Sequence, residues 1–421
     1  MSKYLRKSNI IVWLAFSVTG IIIFIHKSHN AETLKAEAFV QVGNTRAVAK
    51  TSQTRKRFHD LNSTIKSTCQ RSELFENYTT SKCGSPDNIL HVETKGLAYC
   101  FIQKISSTFW KRILQIAGNG IVSNVTNPNY ISPLQAQKQR GYKRLTGRSW
   151  KEVGNLFRNI TTFMFVRNPY HRLFSAWFDK LYSPNVHFWK TIGQKAGQTG
   201  NEDSCAKSVS FPELVEYVTE NILSKQCLDG HFSTYHQHCR PCDIEYTYVG
   251  KYEHLKEDTQ FIIDAVNLTA EVEFGDFAND ATMDAIIAAS SWVYQERKRI
   301  ESCGVSFSCA LFRTWHWLAG RGVISKQVQF PYSVGNNTAS NHSTKEEFIA
   351  RLKEASQERK LNEKEHNRNE AFAQAMSTLT KDHINRIKQA YELDFEIFGY
   401  ELTPPEFQKH RNTLFDYFPY C

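Results

Sequence analysis

Two short groups of side chains in this sequence carry the residue types needed to grip an anion. The first is Lys104-Ile-Ser-Ser-Thr108, in which Lys104, Ser106, Ser107 and Thr108 put one ammonium and three hydroxyls on a few consecutive residues. The second is Arg167, followed two helical turns later by Ser175. Backbone amides, hydroxyls and a lysine together cradle phosphate-like groups, and a fixed guanidinium adds a geometrically specific contact. No G-x-x-x-x-G-K-[ST] pattern occurs anywhere, so the first group is not a Walker loop. No acidic Mg²⁺-binding partner accompanies it, and no metal ion is expected.

Each group must be held by the elements around it. Phe163 to Val166 is an apolar run of the length and composition of a buried strand. Asn168 and Pro169 then read as N-cap and first helical residue. At 100° per residue, Leu173, Phe174, Trp177, Phe178 and Leu181 share one side of that helix, and Asn168, Arg172, Ser175 and Asp179 form a polar stripe. A strand running straight into a helix delivers the helix amides to the sheet edge, where an anion can sit. The same layout recurs upstream: Leu97 to Gln103 is an apolar run, and Trp110, Ile113, Leu114 and Ala117 have helical spacing, with Gly118 a plausible stop. Taken alone, Arg167 and Ser175 fit an ordinary surface βα unit equally well. The second group beside a second strand favours the anion.

The residues Lys104-Ile-Ser-Ser-Thr-Phe-Trp-Lys-Arg resemble the 5′-phosphosulfate loop of Golgi carbohydrate sulfotransferases, in the branch of the chondroitin 4-O- and HNK-1 sulfotransferases. Phe165-Val-Arg-Asn-Pro-Tyr-His-Arg-Leu-Phe-Ser-Ala-Trp resembles that branch's 3′-phosphate motif. Cys239 to Glu253 and Tyr391 to Tyr400 are similar to two further blocks, in the family's order. Three positions depart from the pattern: Gln103 stands where Pro is frequent, Ser106 replaces a small residue, and Phe109 replaces Asn. None removes a charge, so the donor assignment is untouched and acceptor specificity is left open. The resemblance implies an α/β, P-loop-like sulfotransferase fold with a central parallel sheet flanked by helices, preceded by one transmembrane helix. It implies 3′-phosphoadenosine 5′-phosphosulfate as co-substrate.

The rest of the chain is consistent with that setting. A net charge of +10 and a pI near 9.0 suit an anionic partner, and no nucleic-acid-binding motif is present. Residues 1–9 read as a cytoplasmic tail, 10–26 as a transmembrane signal anchor, 27–87 as a lumenal stem and 88–421 as the catalytic domain. Lys3, Arg6 and Lys7 before the apolar segment orient the N-terminus to the cytosol. A cleaved signal peptide ending near Ala36-Glu-Ala38 is the rival reading, but the apolar segment is long for one. The expected location is the Golgi membrane, single-pass type II, with a lumenal catalytic domain. Seven N-x-[ST] sequons, at Asn62, Asn77, Asn124, Asn159, Asn267, Asn336 and Asn341, suit a glycosylated lumenal chain, Asn159 least because it abuts a buried strand.

Ten cysteines suit an oxidising compartment. Cys239-x-x-Cys242 admits a redox pair, a zinc site with His231, His236 or His238, or disulfides to distant cysteines such as Cys205, Cys227, Cys303 or Cys309, and the last is favoured. Pro184 to Ser210 reads as a long surface insertion and Glu346 to Glu370 as a solvated helix or arm. Phe211 to Leu223 reads as a helix, as do the stretches marked by Leu255 to Val266 and by Ile384 to Phe395. Tyr246 to Gly250 is a third strand.

Transfer of a sulfuryl group needs in-line positioning, cations for the leaving oxygen and a base for the attacking hydroxyl. Lys104 fits the cation, with Ser107 and Thr108 at the 5′ end of the donor and Arg167 and Ser175 at its 3′-phosphate. Trp110 reads as a core residue. His231 stands where the branch has a histidine before the cysteine block and fits the base. His171, His187, His236 and Glu253 remain competing candidates. The expected partner is an anionic or neutral glycan, with membrane contact through the N-terminal helix. The alternatives are a catalytically silent glycan-binding protein and a nucleotide-sugar transferase. Lys104 and Arg167 argue against the first, and the lack of an Asp-x-Asp motif against the second.

Overall fold

The computed structural model describes residues 50–71, 83–121, 124–197, 205–334, 343–403 and 415–421. The expected tail and membrane anchor lie outside these residues. No helix among the described residues is long and apolar enough to cross a membrane. The chain divides into an N-terminal unit ending at His59, of which residues 50–59 are described and helical, and a main unit, Asp60–Cys421.

The main unit is built on a five-stranded sheet of order β3-β1-β2-β4-β5. Its strands are β1 (Ile89–Val92), β2 (Leu97–Cys100), β3 (Lys143–Arg144), β4 (Thr161–Val166) and β5 (Tyr248–Lys251). Strands β2, β4 and β5 run parallel, in registers that pair Cys100 with Met164 and Val166 with Lys251. The expectation of a parallel sheet needs correction at its other edge, where β1 lies antiparallel to both β2 and β3. Glu93–Gly96 is too short for a parallel crossover, so the chain turns back as a hairpin. Gly96 makes that turn with φ 54°.

The helices follow from their caps and apolar faces. α1 (Ser107–Ala117) buries Trp110 against Tyr99, Phe163 and Phe165, so Trp110 is indeed core. Arg112 on the same helix forms a two-pronged ion pair with Asp284. α2 (Trp150–Phe157) carries a capping box from Ser149 and Glu152. α3 (Pro169–Trp177) starts at Asn168, whose side chain accepts from the Tyr170 amide, as expected. α4 (Phe211–Leu223) starts at Ser210 with a second capping box. α5 (Tyr235–Cys239) is a short turn, and α6 (Leu255–Ala265) follows β5. α7 (Phe277–Gln295), α8 (Phe307–Gly320), α9 (Lys345–Gln357), α10 (Glu363–Ser377), α11 (Lys381–Ala390) and α12 (Glu392–Ile397) complete the chain.

Three expectations change here. The described parts of the stretch from Pro184 to Ser210, 184–197 and 205–210, are not a surface loop: Val186, Phe188, Trp189, Ile192 and Val209 are buried among the helices, and the Trp189 indole donates to Leu181 O at 2.8 Å. Its apolar residues lack a period because the backbone winds through short π-helical turns. Glu346 to Glu370 is likewise no free arm, since α9 and α10 bury Phe348, Leu352 and Asn367 beneath their charged outer faces. Within the stretch read as stem, residues 60–71 are helical and bonded to the domain by Cys69–Cys242.

All ten cysteines pair, as Cys69–Cys242, Cys83–Cys227, Cys100–Cys239, Cys205–Cys303 and Cys309–Cys421. Cys239 and Cys242 thus form separate structural bridges. Their partners are Cys100 and Cys69, not the four candidates named from sequence.

Candidate functional site

The turn between β2 and α1 is held open by unusual backbone. Lys104 and Ser106 are non-glycine residues with φ of 71° and 55°. Left-handed conformations at such residues cost on the order of 1–3 kcal/mol each and persist only where the surroundings enforce them. The result is a curl whose last residue, Ser106, caps α1, so Ser107 and Thr108 begin the helix. The first amides of a helix have no partner within it, and these point toward the turn.

Arg167 leaves the end of β4, the strand beside β2. Its Nη1 donates to Lys104 O at 3.4 Å, which joins the two sequence groups directly. Tyr235 clamps the Arg167 backbone: its hydroxyl donates to Arg167 O at 2.6 Å and accepts from Arg167 N at 3.0 Å. Ser175 lies half-buried two turns along α3.

Arg172, read from sequence only as part of a polar stripe, is buried and ties the site together. Its guanidinium donates to Gln103 O (3.3 Å), Ser233 O (2.6 Å) and Gly230 O (2.7 Å). One cation thereby fixes the residue before Lys104 and the residues on either side of His231. Asp179 is the other unforeseen member. Its Oδ2 lies 2.7 Å from Lys104 Nζ and 3.2 Å from Lys180 Nζ.

The charges at this point are unbalanced in a telling way. Burial brings Lys104 down to about 8, helped by Lys180 and Arg321 and opposed by Asp179. Burial would raise Asp179, but Lys104, Lys180 and Arg321 hold it well below the usual carboxylate range. Burial is the larger cause at Lys104, but Lys180 and Arg321 act on both groups in the same sense: their positive potential disfavours another cation and favours an anion.

His231 sits with its Nδ1 2.6 Å from Asp229 Oδ1 and its ring edge-on to Phe188. An Nδ1–H donated to Asp229 assigns the tautomer that leaves Nε2 with a lone pair. Burial, then Lys180 and Lys104, lower its pKa, while Asp229 raises it. The competing candidates are placed elsewhere. His171 stacks on Phe372 at 3.8 Å and is pushed down to about 3 by burial and by Arg167 and Arg368. His236 is buried and brought down to about 4. His187 is exposed, edge-on to Phe188. Glu253 takes the Tyr400 hydroxyl at 3.0 Å and the Asn168 amide at 3.5 Å, which makes it a structural acceptor. His238, weighed as a zinc ligand, instead contacts Phe101 O and Ser233 Oγ through its two ring nitrogens. No metal-holding group of His, Cys, Asp and Glu occurs among the described residues.

A further group is invisible in the sequence. The Arg167 guanidinium lies 4.4 Å over the Tyr252 ring, and Arg368 Nη2 donates to the Tyr252 hydroxyl at 3.3 Å. Burial would raise the Tyr252 phenol, but Arg167, Arg368, Arg321 and Lys364 outweigh it and bring it down to about 8. No local pattern marks Arg321, Lys364 or Arg368. Only the fold brings them to β4.

A profile of the sulfotransferase family matches residues 87–301, just over half of the chain. Carbohydrate sulfotransferase 11 of Mus musculus is 28% identical over 206 residues, covering 46% of this chain and 58% of the relative. Carbohydrate sulfotransferase 9 of Homo sapiens is 28% identical over 202 residues, covering 46% and 44%. Carbohydrate sulfotransferase 12 of Xenopus laevis is 26% identical over 230 residues, covering 49% and 53%. The matched parts thus span about half the length of these curated relatives. No solved structure matches the chain.

Proposed function

The chain belongs to the sulfotransferase family, and from that premise we propose that it moves a sulfuryl group from 3′-phosphoadenosine 5′-phosphosulfate to a sugar hydroxyl. The acceptor class proposed is a glycosaminoglycan of the chondroitin or dermatan kind, or a glycoprotein glycan. One observation carries the reading. Lys104 and Arg167 stand at the ends of adjacent parallel strands, joined by a hydrogen bond, in a region whose positive charge exceeds its negative charge. A donor with anionic groups at both ends of one ribose suits such a site.

In this reading Lys104, Ser106, Ser107, Thr108 and the α1 amides hold the phosphosulfate end. Arg167 and Ser175 hold the 3′-phosphate. The donor supplies the sulfuryl group, Lys104 meets charge on the departing phosphate oxygen, and no metal is called upon. His231 accepts the proton of the sugar hydroxyl at Nε2, while Asp229 holds its other nitrogen. We place the protein in the Golgi membrane as a type II chain anchored by residues 10–26, with this domain in the lumen. The ten paired cysteines support an oxidising compartment.

The test is transfer of radiolabelled sulfate from the donor to a panel of desulfated glycans, with calorimetry of adenosine 3′,5′-bisphosphate and 5′-AMP alongside. Transfer to at least one glycan and a clear preference for the bisphosphate are expected. Tight donor binding without transfer to any acceptor would favour a silent glycan-binding protein. Equal affinity for the two nucleotides would remove the donor assignment.

A further inference from the structure

Four cations converge on the Tyr252 phenol, and three of them, Arg321, Lys364 and Arg368, lie beyond the family-matched segment. Among the described residues none of the four is ion-paired with a carboxylate. The carboxylates that face them are committed elsewhere. Asp179 is taken by Lys104, Asp284 by Arg112, and Glu253 by the Tyr400 hydroxyl and the Asn168 amide. Clustered cations left without counter-charges repel one another, and an incoming anion relieves that cost.

The cluster is built rather than incidental. Arg359 donates to Gly322 O and Val323 O, which pins the chain just after Arg321 to the segment leading into α10. Gly322, at φ 64°, packs so tightly on the Lys364 backbone that a Cβ there would overlap it. Glu363 accepts from Ser325 Oγ and the Lys326 and Lys360 amides and locks the same junction. Arg321 lies 4.5 Å over Trp317, and Arg368 reaches across to Tyr252 on the strand side. The helical half of the molecule thus presents its cations to Arg167 from a fixed frame.

We propose that Arg368, Lys364 and Arg321, with the Tyr252 hydroxyl, complete the binding site for the donor's 3′-phosphate that Arg167 begins, and so set the preference for nucleotides phosphorylated at that position. This rests on the donor reading above. A 3′-phosphate is a dianion, and several convergent cations with a phenol donor suit two negative charges better than one carboxylate. Arg167 belongs to both the cluster and the Lys104 turn, so a ligand spanning the two carries anions at two points, as this nucleotide does. Uronate or sulfate groups of an acceptor share the chemistry and are the other source to be tested.

The experiment uses the full chain, expressed through a secretory pathway and kept in detergent. Calorimetry with adenosine 3′,5′-bisphosphate, 5′-AMP and chondroitin is run on wild type, Arg368→Gln, Lys364→Gln and Tyr252→Phe. Loss of a hydrogen bond to a charged group predicts bisphosphate binding about 10–100-fold weaker for Arg368→Gln, with 5′-AMP unchanged. Tyr252→Phe keeps the ring and the fold and is expected to weaken the bisphosphate alone. In wild type, bisphosphate is also expected to move the Tyr252 phenolate absorbance to higher pH, because a bound dianion offsets the cations. Wild-type preference for bisphosphate that all three variants keep would overturn the proposal while leaving the donor reading intact. Weakened chondroitin binding with unchanged bisphosphate binding would do the same and assign the cluster to the acceptor. A wild type without preference would overturn both.

Discussion

Asp179 is a carboxylate beside a site proposed for anions, which makes its role a trade between two ligands of Lys104. It keeps the Lys104 ammonium charged, yet it repels an incoming phosphosulfate. Asp179→Asn is therefore expected to split the two effects. Without the carboxylate Lys104 falls below about 8, so the alkaline limb of kcat moves to lower pH. Bisphosphate affinity is expected to hold or rise. Both are read from kcat against pH with Kd measured separately, and an unmoved limb would remove Asp179 from the reaction. His231→Ala is expected to cost about 10²–10⁴-fold in kcat with donor affinity nearly intact. In wild type the acidic limb belongs below the ordinary value of 6.5, since burial and two lysines lower His231. Near-normal turnover in the mutant would remove it as the base. At the glycan sites, Asn62 donates to Tyr246 O and Thr247 O, whereas Asn124, Asn159 and Asn267 are exposed. Asn62→Gln is expected to leave gel mobility unchanged, and Asn159→Gln to raise it, the reverse of what proximity to a buried strand suggested.

The elements that carry the site were legible because each has a local cause. An apolar run, an Asn-Pro cap and a 3.6-residue apolar face fix β4 and α3 without help from the rest of the chain. Arg172 shows where such reading stops. Helical spacing puts it on the polar stripe beside Ser175 and Asp179, which looks like a solvated face. In the fold that face meets two loops instead of water, and the guanidinium satisfies three carbonyls there. Arg172→Lys keeps the charge but a single ammonium cannot span all three. Leaving buried carbonyls unpaired costs about 1–3 kcal/mol. The midpoint of chemical denaturation should fall accordingly, and kcat should fall with it because Gln103 and Gly230 flank Lys104 and His231. Full stability in Arg172→Lys would show that the carbonyls find other donors. The described part of the segment from Pro184 to Ser210 failed to register for a related reason: the π-helical turn Trp189–Gly193 buries side chains at spacings that neither a helical nor a strand template matches.

Across the whole molecule, the cations of the Tyr252 cluster come from a strand end, a helix end and the first turns of α10, so no window of sequence contains the site. The cysteine count alone pointed to an oxidising compartment, but pairing depends on the fold, and Cys100–Cys239 joins the end of β2 to α5, the helix that follows the turn carrying His231. Replacing both by Ser is expected to cost about 2–4 kcal/mol of stability and to weaken bisphosphate binding, measured by thermal melting and calorimetry. Unchanged binding would mean that packing alone holds the turn. The proposed topology predicts that N-glycosidase raises gel mobility and that a C-terminal tag resists protease in sealed vesicles. Unchanged mobility with an accessible tag would reverse it.

The five bridges also impose an order in time. Every one spans a long stretch of chain, from 98 residues for Cys205–Cys303 to 173 for Cys69–Cys242. During synthesis Cys69, Cys83 and Cys100 emerge first, and their native partners follow only with Cys227, Cys239 and Cys242. At about 5–20 residues per second, the 139 residues between Cys100 and Cys239 take roughly seven to thirty seconds to make. Until Cys205 follows, three thiols share a nascent chain with only one another to oxidise against. A premature bond among them must be reshuffled before the turn at Lys104 can close, which makes maturation of this chain dependent on disulfide exchange rather than on oxidation alone.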